Sequence, residues 1–187
     1  VPDGFAITAM AYRSLLDNPG VREKLHALLD ITDSNDAQSL SLHAQQARDL
    51  IYNTELSPLL RDEILGAFHE LQSRYSQPIS VAIRSSATAE DLPTASLAVQ
   101  DDSDVNVSGD EAGLDACKRC FASLFTERAI QYRINNGFDH FKVALSIGVM
   151  KMVRSDKAAS GVMFTLDTDS GFRDVVFVTG VYGLGET

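Results

Sequence analysis

Val81-Ala82-Ile83-Arg84-Ser85-Ser86-Ala87-Thr88-Ala89-Glu90-Asp91-Leu92-Pro93 is the stretch on which the reading of this chain turns. The apolar, β-prone run from Ile79 to Ile83 predicts a strand. That strand delivers one arginine and then breaks into small hydroxylated residues and two acids. Arg84 is a planar, permanently charged fork suited to phosphate oxygens. Ser85, Ser86 and Thr88 add hydroxyl donors, and their small size lets a ligand approach the backbone. A plainer reading of the same residues has Arg84 closing an ion pair with Glu90 or Asp91.

Upstream of this strand the sequence reads helical. Thr8 is placed to cap a helix over Ala9 to Leu16, and Asn18-Pro19-Gly20 stops it. Val21, Leu25, Leu28 and Leu29 recur at helical spacing. Thr32, Asp33 and Ser34 offer caps for a longer helix running to about Tyr52. Ser57-Pro58 opens another, with Leu59, Leu60, Ile64, Leu65, Phe68 and Leu71 as core positions.

Downstream, Asp101 to Val107 predicts a second short strand. Gly109 or Asp110 then caps a long helix through about Asn135, and Asn136-Gly137 ends it. Val143 to Val153, Gly161 to Asp167 and Asp174 to Val181 read as strands, with a turn at Asp169-Ser170-Gly171. Two of these strands alternate weakly and are apolar on both faces, which predicts that helices cover them. The composition shift near Gln77-Pro78 divides the chain into a helical part, residues 1–77, and an α/β part, residues 78–187.

The 187 residues are enough for a sizeable core, and 44% hydrophobic with 22% charged residues is ordinary globular composition. A net charge of −10 argues against a nucleic-acid binder, yet a local group of cations can still serve one nucleotide. Cys117 and Cys120 form a C-x-x-C inside a helical pattern, with no second pair or nearby histidine to complete four ligands. Buried thiols in a reducing cytoplasm are the favoured reading over a metal site. No run approaches the length of a membrane span, and no signal-like segment opens the chain.

Several motifs, in order, carry a family resemblance. Besides the arginine stretch, they are Val1-Pro2-Asp3-Gly4-Phe5-Ala6-Ile7-Thr8 ahead of the first helix, Phe121-Ala122-Ser123-Leu124-Phe125 and Ala129-Ile130-Gln131-Tyr132-Arg133. Met152-Val153-Arg154-Ser155-Asp156, Ser160-Gly161-Val162-Met163-Phe164 and Gly183-Leu184-Gly185-Glu186 complete the set. Together they resemble the nucleotide-binding domain of the phosphoenolpyruvate synthase and pyruvate phosphate dikinase family, along essentially the whole chain. The phosphoenolpyruvate synthase branch is the most similar.

The resemblance implies an α/β fold of mixed α+β kind: an ATP-grasp-like domain with a helical amino-terminal region and a mixed sheet. It implies ATP and Mg²⁺ as cofactors. The implied reaction phosphorylates pyruvate with ATP and water through a phosphohistidine on another domain. Related enzymes with other acceptors (rifampin, a glucan, or pyruvate phosphate dikinase itself) share the same lobe, and a degenerate, non-catalytic lobe is a further alternative. Chemistry of this type needs cations on the phosphates, a divalent metal between phosphate oxygens, and a loop over the reaction.

Residue by residue, Arg84 matches the phosphate-contacting arginine. The covering loop, in relatives Ser-Phe-Ala-Gly-Gln-Gln-acid-Thr, reads here Ser96-Leu97-Ala98-Val99-Gln100-Asp101-Asp102-Ser103. Gln100 and Ser103 keep the family's functional groups. Val99 replaces a glycine, and Asp101 and Asp102 put negative charge beside the expected triphosphate unless a metal intervenes. Lys151 and Val153 match the strand along the adenine pocket, where the backbone does the reading, and Met150 stands in place of a polar residue. Glu186 matches the carboxylate of Gly-Leu-Gly-Glu and is the implied Mg²⁺ ligand.

His26, His43, His69 and His140 match no phosphohistidine motif. The chain therefore reads as part of a longer enzyme, with the phosphohistidine, the pyruvate site, the family's amino-terminal lysine and the remaining metal ligands outside it. A cytoplasmic homo-oligomer is the implied setting for the whole enzyme, with neither nucleic acid nor membrane as a partner.

Overall fold

The computed structural model describes residues 1–87 and 103–185. They contribute to two compact units, Val1–Met152 and Val153–Thr187.

In the first unit, strand β1 (Gly4–Ile7) precedes helices α1 (Ala9–Leu16), α2 (Val21–Asp30), α3 (Ala37–Asn53) and α4 (Pro58–Ser73). Strands β2 (Val81–Ala87) and β3 (Ser103–Val107), helices α5 (Asp110–Ser123) and α6 (Glu127–Asn135), and strand β4 (Leu145–Lys151) complete it. The strands form one sheet in the order β1-β4-β2-β3, and every neighbouring pair is antiparallel.

The expectation of a mixed sheet is thereby corrected. β4 enters between β1 and β2 and runs against both, and β3 runs against β2, so strands that share a direction (β1 with β2, β3 with β4) are never neighbours. Apolar periodicity carries no information about strand direction.

β1 was read only as a lead into the first helix. Four residues are too few to show a pattern, and the strand exists because β4, far along the chain, pairs with it. The helix expected from about residue 110 to 135 is two helices. Thr126 caps the second, its Oγ1 accepting from the Ala129 N–H at 3.3 Å. α3 is capped by Asp36, which accepts from the Gln38 N–H at 2.9 Å, and not by the three residues before Asn35. Ser57 caps α4 as expected, and Gly109 rather than Asp110 caps α5.

Tyr12, Leu15, Leu25, Ile51, Phe121 and Ile130 from the helices share one buried cluster with Ile83 of β2 and Leu145, Ile147 and Val149 of β4. Burial alternates along β4, with Ser146, Gly148 and Met150 only half-buried. The sheet is therefore sealed on one side by helices and more open on the other. The expectation of helix cover holds for β4 on one face only, and the last two strands of the chain are exposed along nearly their whole length.

The second unit is an antiparallel pair, β5 (Ala159–Phe164) with β6 (Phe177–Tyr182). Val162, Met163, Phe177 and Val178 are exposed along it, because so short a unit has too few residues to enclose a core. The expected turn is present between these strands. Asp167 anchors it through the Asp169 N–H at 3.1 Å and the Ser170 hydroxyl, and those bonds hold its carboxyl below the usual range.

Candidate functional site

The open side of the sheet is built from very small side chains around one cation. Antiparallel register sets Ala6, Gly148, Arg84 and Ser103 in a row across all four strands. The next row pairs Ser86 with Ser146, whose Oγ donates to the Ser86 carbonyl at 3.2 Å. On the other flank, Ala82 lies opposite Met150, which pairs in turn with Gly4.

Arg84 is exposed at the centre of this surface. The ion pairs among the described residues involve other cations and leave Arg84 without one. The one acid within the four strands, Asp104, stands opposite Ile83, whose side chain is in the core. Arg119 already neutralises Asp104 at 3.0 Å. Among the described residues, no carboxylate stands in this row, although the chain carries a net charge of −10. Local charge decides anion binding near a surface, because attraction weakens beyond about a Debye length, ~8 Å in physiological salt. The partners first considered for Arg84, Glu90 and Asp91, lie outside the described residues.

Of the expected site residues, Arg84 and Ser103 are brought together as cross-strand partners. Lys151 is not with them. It pairs with Val81 at the end of the sheet, in step with the buried Val149, and its Nζ lies 4.0 Å from the Tyr75 ring centroid. Tyr75 is fixed by donating its hydroxyl to Asp3 at 2.6 Å, a bond that also raises the phenol pKa.

The backbone here is partly committed. The Lys151 N–H donates to the Asp3 carbonyl at 2.8 Å and the Met152 N–H to the Ser80 carbonyl at 2.9 Å. Val153 belongs to the second unit, and its carbonyl accepts from the Ser155 N–H at 2.8 Å. Gln100, Glu186, Val99, Asp101 and Asp102 lie outside the described residues.

Sequence reasoning missed Ala6, Gly148 and Ser146. Each looks like ordinary filler until the register places it beside Arg84. Ser85 was counted among the hydroxyl donors, but strand alternation turns it inward. It is buried opposite Ile147, and its Oγ has no hydrogen-bond partner.

The histidines are engaged elsewhere. His26 stacks on Phe141, His43 lies 3.1 Å from the Thr32 hydroxyl, and His69 pairs with Asp110 at 2.9 Å. His140 accepts at Nδ1 from Arg133 Nε at 2.8 Å. Cys117 and Cys120 are buried and not joined in a disulfide, and burial pushes Cys117 up to about 12, away from thiolate chemistry. No cluster of three or more His, Cys, Asp or Glu able to hold a metal occurs among the described residues. The chemistry on offer is anion binding by one guanidinium, with hydroxyls and a bare stretch of backbone beside it.

Residues 1–187 match the family described as pyruvate phosphate dikinase, AMP/ATP-binding domain. This chain belongs to that family. Among curated proteins, the phosphoenolpyruvate synthase of Helicobacter pylori is 51% identical over the whole chain, which covers 23% of that protein. Those of Pseudomonas aeruginosa and Escherichia coli are 51% and 50% identical, again over the whole chain and covering 24% and 23% of their lengths. The chain thus spans about a quarter of the curated relatives it matches. As a member of an AMP/ATP-binding domain family it has adenine nucleotide as its ligand class, which agrees with an arginine on an open sheet face that no ion pair among the described residues engages. No helix among the described residues is long and apolar enough to cross a membrane.

Proposed function

We infer that this chain is the ATP-binding part of a phosphoenolpyruvate synthase and that Arg84 receives the nucleotide's phosphates. The observation that carries the reading is the setting of Arg84: exposed, outside every ion pair of the described residues, and in a row free of acids. The identity of about one-half to curated phosphoenolpyruvate synthases supports the choice of enzyme. The overall reaction in this proposal takes ATP, pyruvate and water to phosphoenolpyruvate, AMP and phosphate, through a phosphohistidine carried elsewhere. The part of this chain is positioning and charge neutralisation.

Ser103 stands across from Arg84 and extends the same anion site through its hydroxyl. Gln100 completes the loop over the phosphates in this proposal. The adenine is assigned to the backbone of Lys151 and Val153, by groups other than the N–H bonds already made to Asp3 and Ser80. Mg²⁺ would be held between phosphate oxygens and Glu186. In this organisation residues 1–77 support an ATP-grasp-like part, residues 78–187. Pyruvate as acceptor, a cytoplasmic setting and a homo-oligomeric enzyme belong to the same proposal.

The test is Arg84→Ala in the protein at its natural length, with phosphorylation of the carrier histidine by ATP as the readout. Loss of one preorganised cation at the phosphates is expected to slow that half-reaction roughly 100-fold. An unchanged rate would overturn the assignment.

A further inference from the structure

Gly148 sits in the middle of strand β4, where a glycine weakens the strand without helping it. Two structural reasons for a strand glycine are absent. Its φ is not in the left-handed region, which among glycines is occupied only by Gly20, Gly109, Gly137, Gly171, Gly183 and Gly185 of the described residues. Nor is it crowded by the described residues: among them, a Cβ built there meets nothing closer than the Arg84 carbonyl oxygen at 3.9 Å, an ordinary contact.

Gly4, paired with the next residue but one of the same strand, is the opposite case. A Cβ there would overlap the Val149 carbonyl oxygen, so the fold itself demands that glycine. Gly180 of β6 also has room for a Cβ, but its cross-strand partner is Gly161 and no cation faces it.

What distinguishes Gly148 is its neighbour. It is the direct cross-strand partner of Arg84, with Ala6 on its other side. Side chains of such partners stand about 5 Å apart at Cβ and lie against each other. Any branched residue at 148 would occupy the space along the Arg84 stem and over the sheet backbone. We propose that Gly148 is a positioning residue for the nucleotide, its missing side chain leaving the clearance through which phosphate oxygens reach the Arg84 guanidinium. This rests on the reading of Arg84 as the phosphate contact.

The experiment compares Gly148→Ala, Gly148→Val and Arg84→Ala in the protein at its natural length. The readouts are thermal unfolding without nucleotide and the dissociation constant for Mg²⁺–ATP. The expected pattern is an unfolding midpoint for both Gly148 variants at or above that of the parent, since added side chains fit and stiffen the unfolded chain less favourably for unfolding. ATP affinity should fall stepwise with size, by at least about tenfold for valine. A lowered midpoint in both variants would make Gly148 a residue of the fold and overturn the proposal. Parental ATP affinity in a stable Gly148→Val, with affinity lost in Arg84→Ala, would overturn the clearance role and leave the Arg84 reading standing. Parental affinity in Arg84→Ala would remove the reading on which the proposal rests.

Discussion

Arg133 is the most deeply buried charge of the described residues, 1% exposed and without a carboxylate partner. Its Nη2 donates to the Leu124 carbonyl at 2.6 Å, its Nε to His140 Nδ1 at 2.8 Å, and its Cζ lies 5.5 Å from the Phe125 ring centroid. A guanidinium that donates to an imidazole nitrogen requires that imidazole to be neutral. Burial, and then the Arg133 charge, push His140 down from 6.5 to about 4, against the smaller opposing pull of Asp139 and Asp30. The folded state therefore prefers the neutral ring. This contribution to stability is complete above pH 6.5 and is lost as the pH falls from 6.5 towards 4. Urea midpoints measured across that window should drop in the parent, and His140→Gln, which keeps an acceptor without titrating, should flatten the decline. Ser85 gives a second residue-scale expectation. Its buried hydroxyl is unsatisfied, so Ser85→Ala should raise unfolding free energy by about 1 kcal/mol and leave ATP affinity unchanged.

Among the elements, β1 is the one most exposed to a single substitution. Gly4→Ala would drive a methyl into the Val149 carbonyl, and β1 would have to part from β4. The expected cost is roughly 1–3 kcal/mol, read as a lower urea midpoint. The physical reason is pairing across the chain, which also explains what the sequence could and could not disclose. α1, α2 and α4 were legible because their signals are local: periodic leucines and Ser57-Pro58. The apolar run before Arg84 disclosed β2 but not its end, since the strand continues through Ser85 and Ser86 to Ala87 instead of breaking after Arg84. The division between α5 and α6 was less so, since Leu124 and Phe125 continue the apolar pattern and only the Thr126 cap marks the break. β1 was illegible because its partner lies more than a hundred residues away, and the antiparallel order because β4 returns to pair with β2 only after α5 and α6. Arg84 could be picked out from its neighbours in sequence, whereas Gly148 and Ala6 acquire meaning only through register.

At the scale of the whole molecule, charge is distributed unevenly. Acids outnumber bases by 26 to 16, yet the row through Ala6, Gly148, Arg84 and Ser103 contains the cation alone. Asp104, the one acid of the four described strands, is held by Arg119. Family membership supplies adenine nucleotide as the ligand class, and this acid-free row is the place proposed for its phosphates. A ligand that binds only the folded state stabilises it by mass action, by about 2.7 kcal/mol at one hundred times its dissociation constant. The decisive measurement is the thermal unfolding midpoint of the protein at its natural length, with and without saturating Mg²⁺–ATP, for the parent and for Arg84→Ala. A clear rise in the parent that is lost in Arg84→Ala is the predicted result; an equal rise in both would contradict the placement of the nucleotide at Arg84.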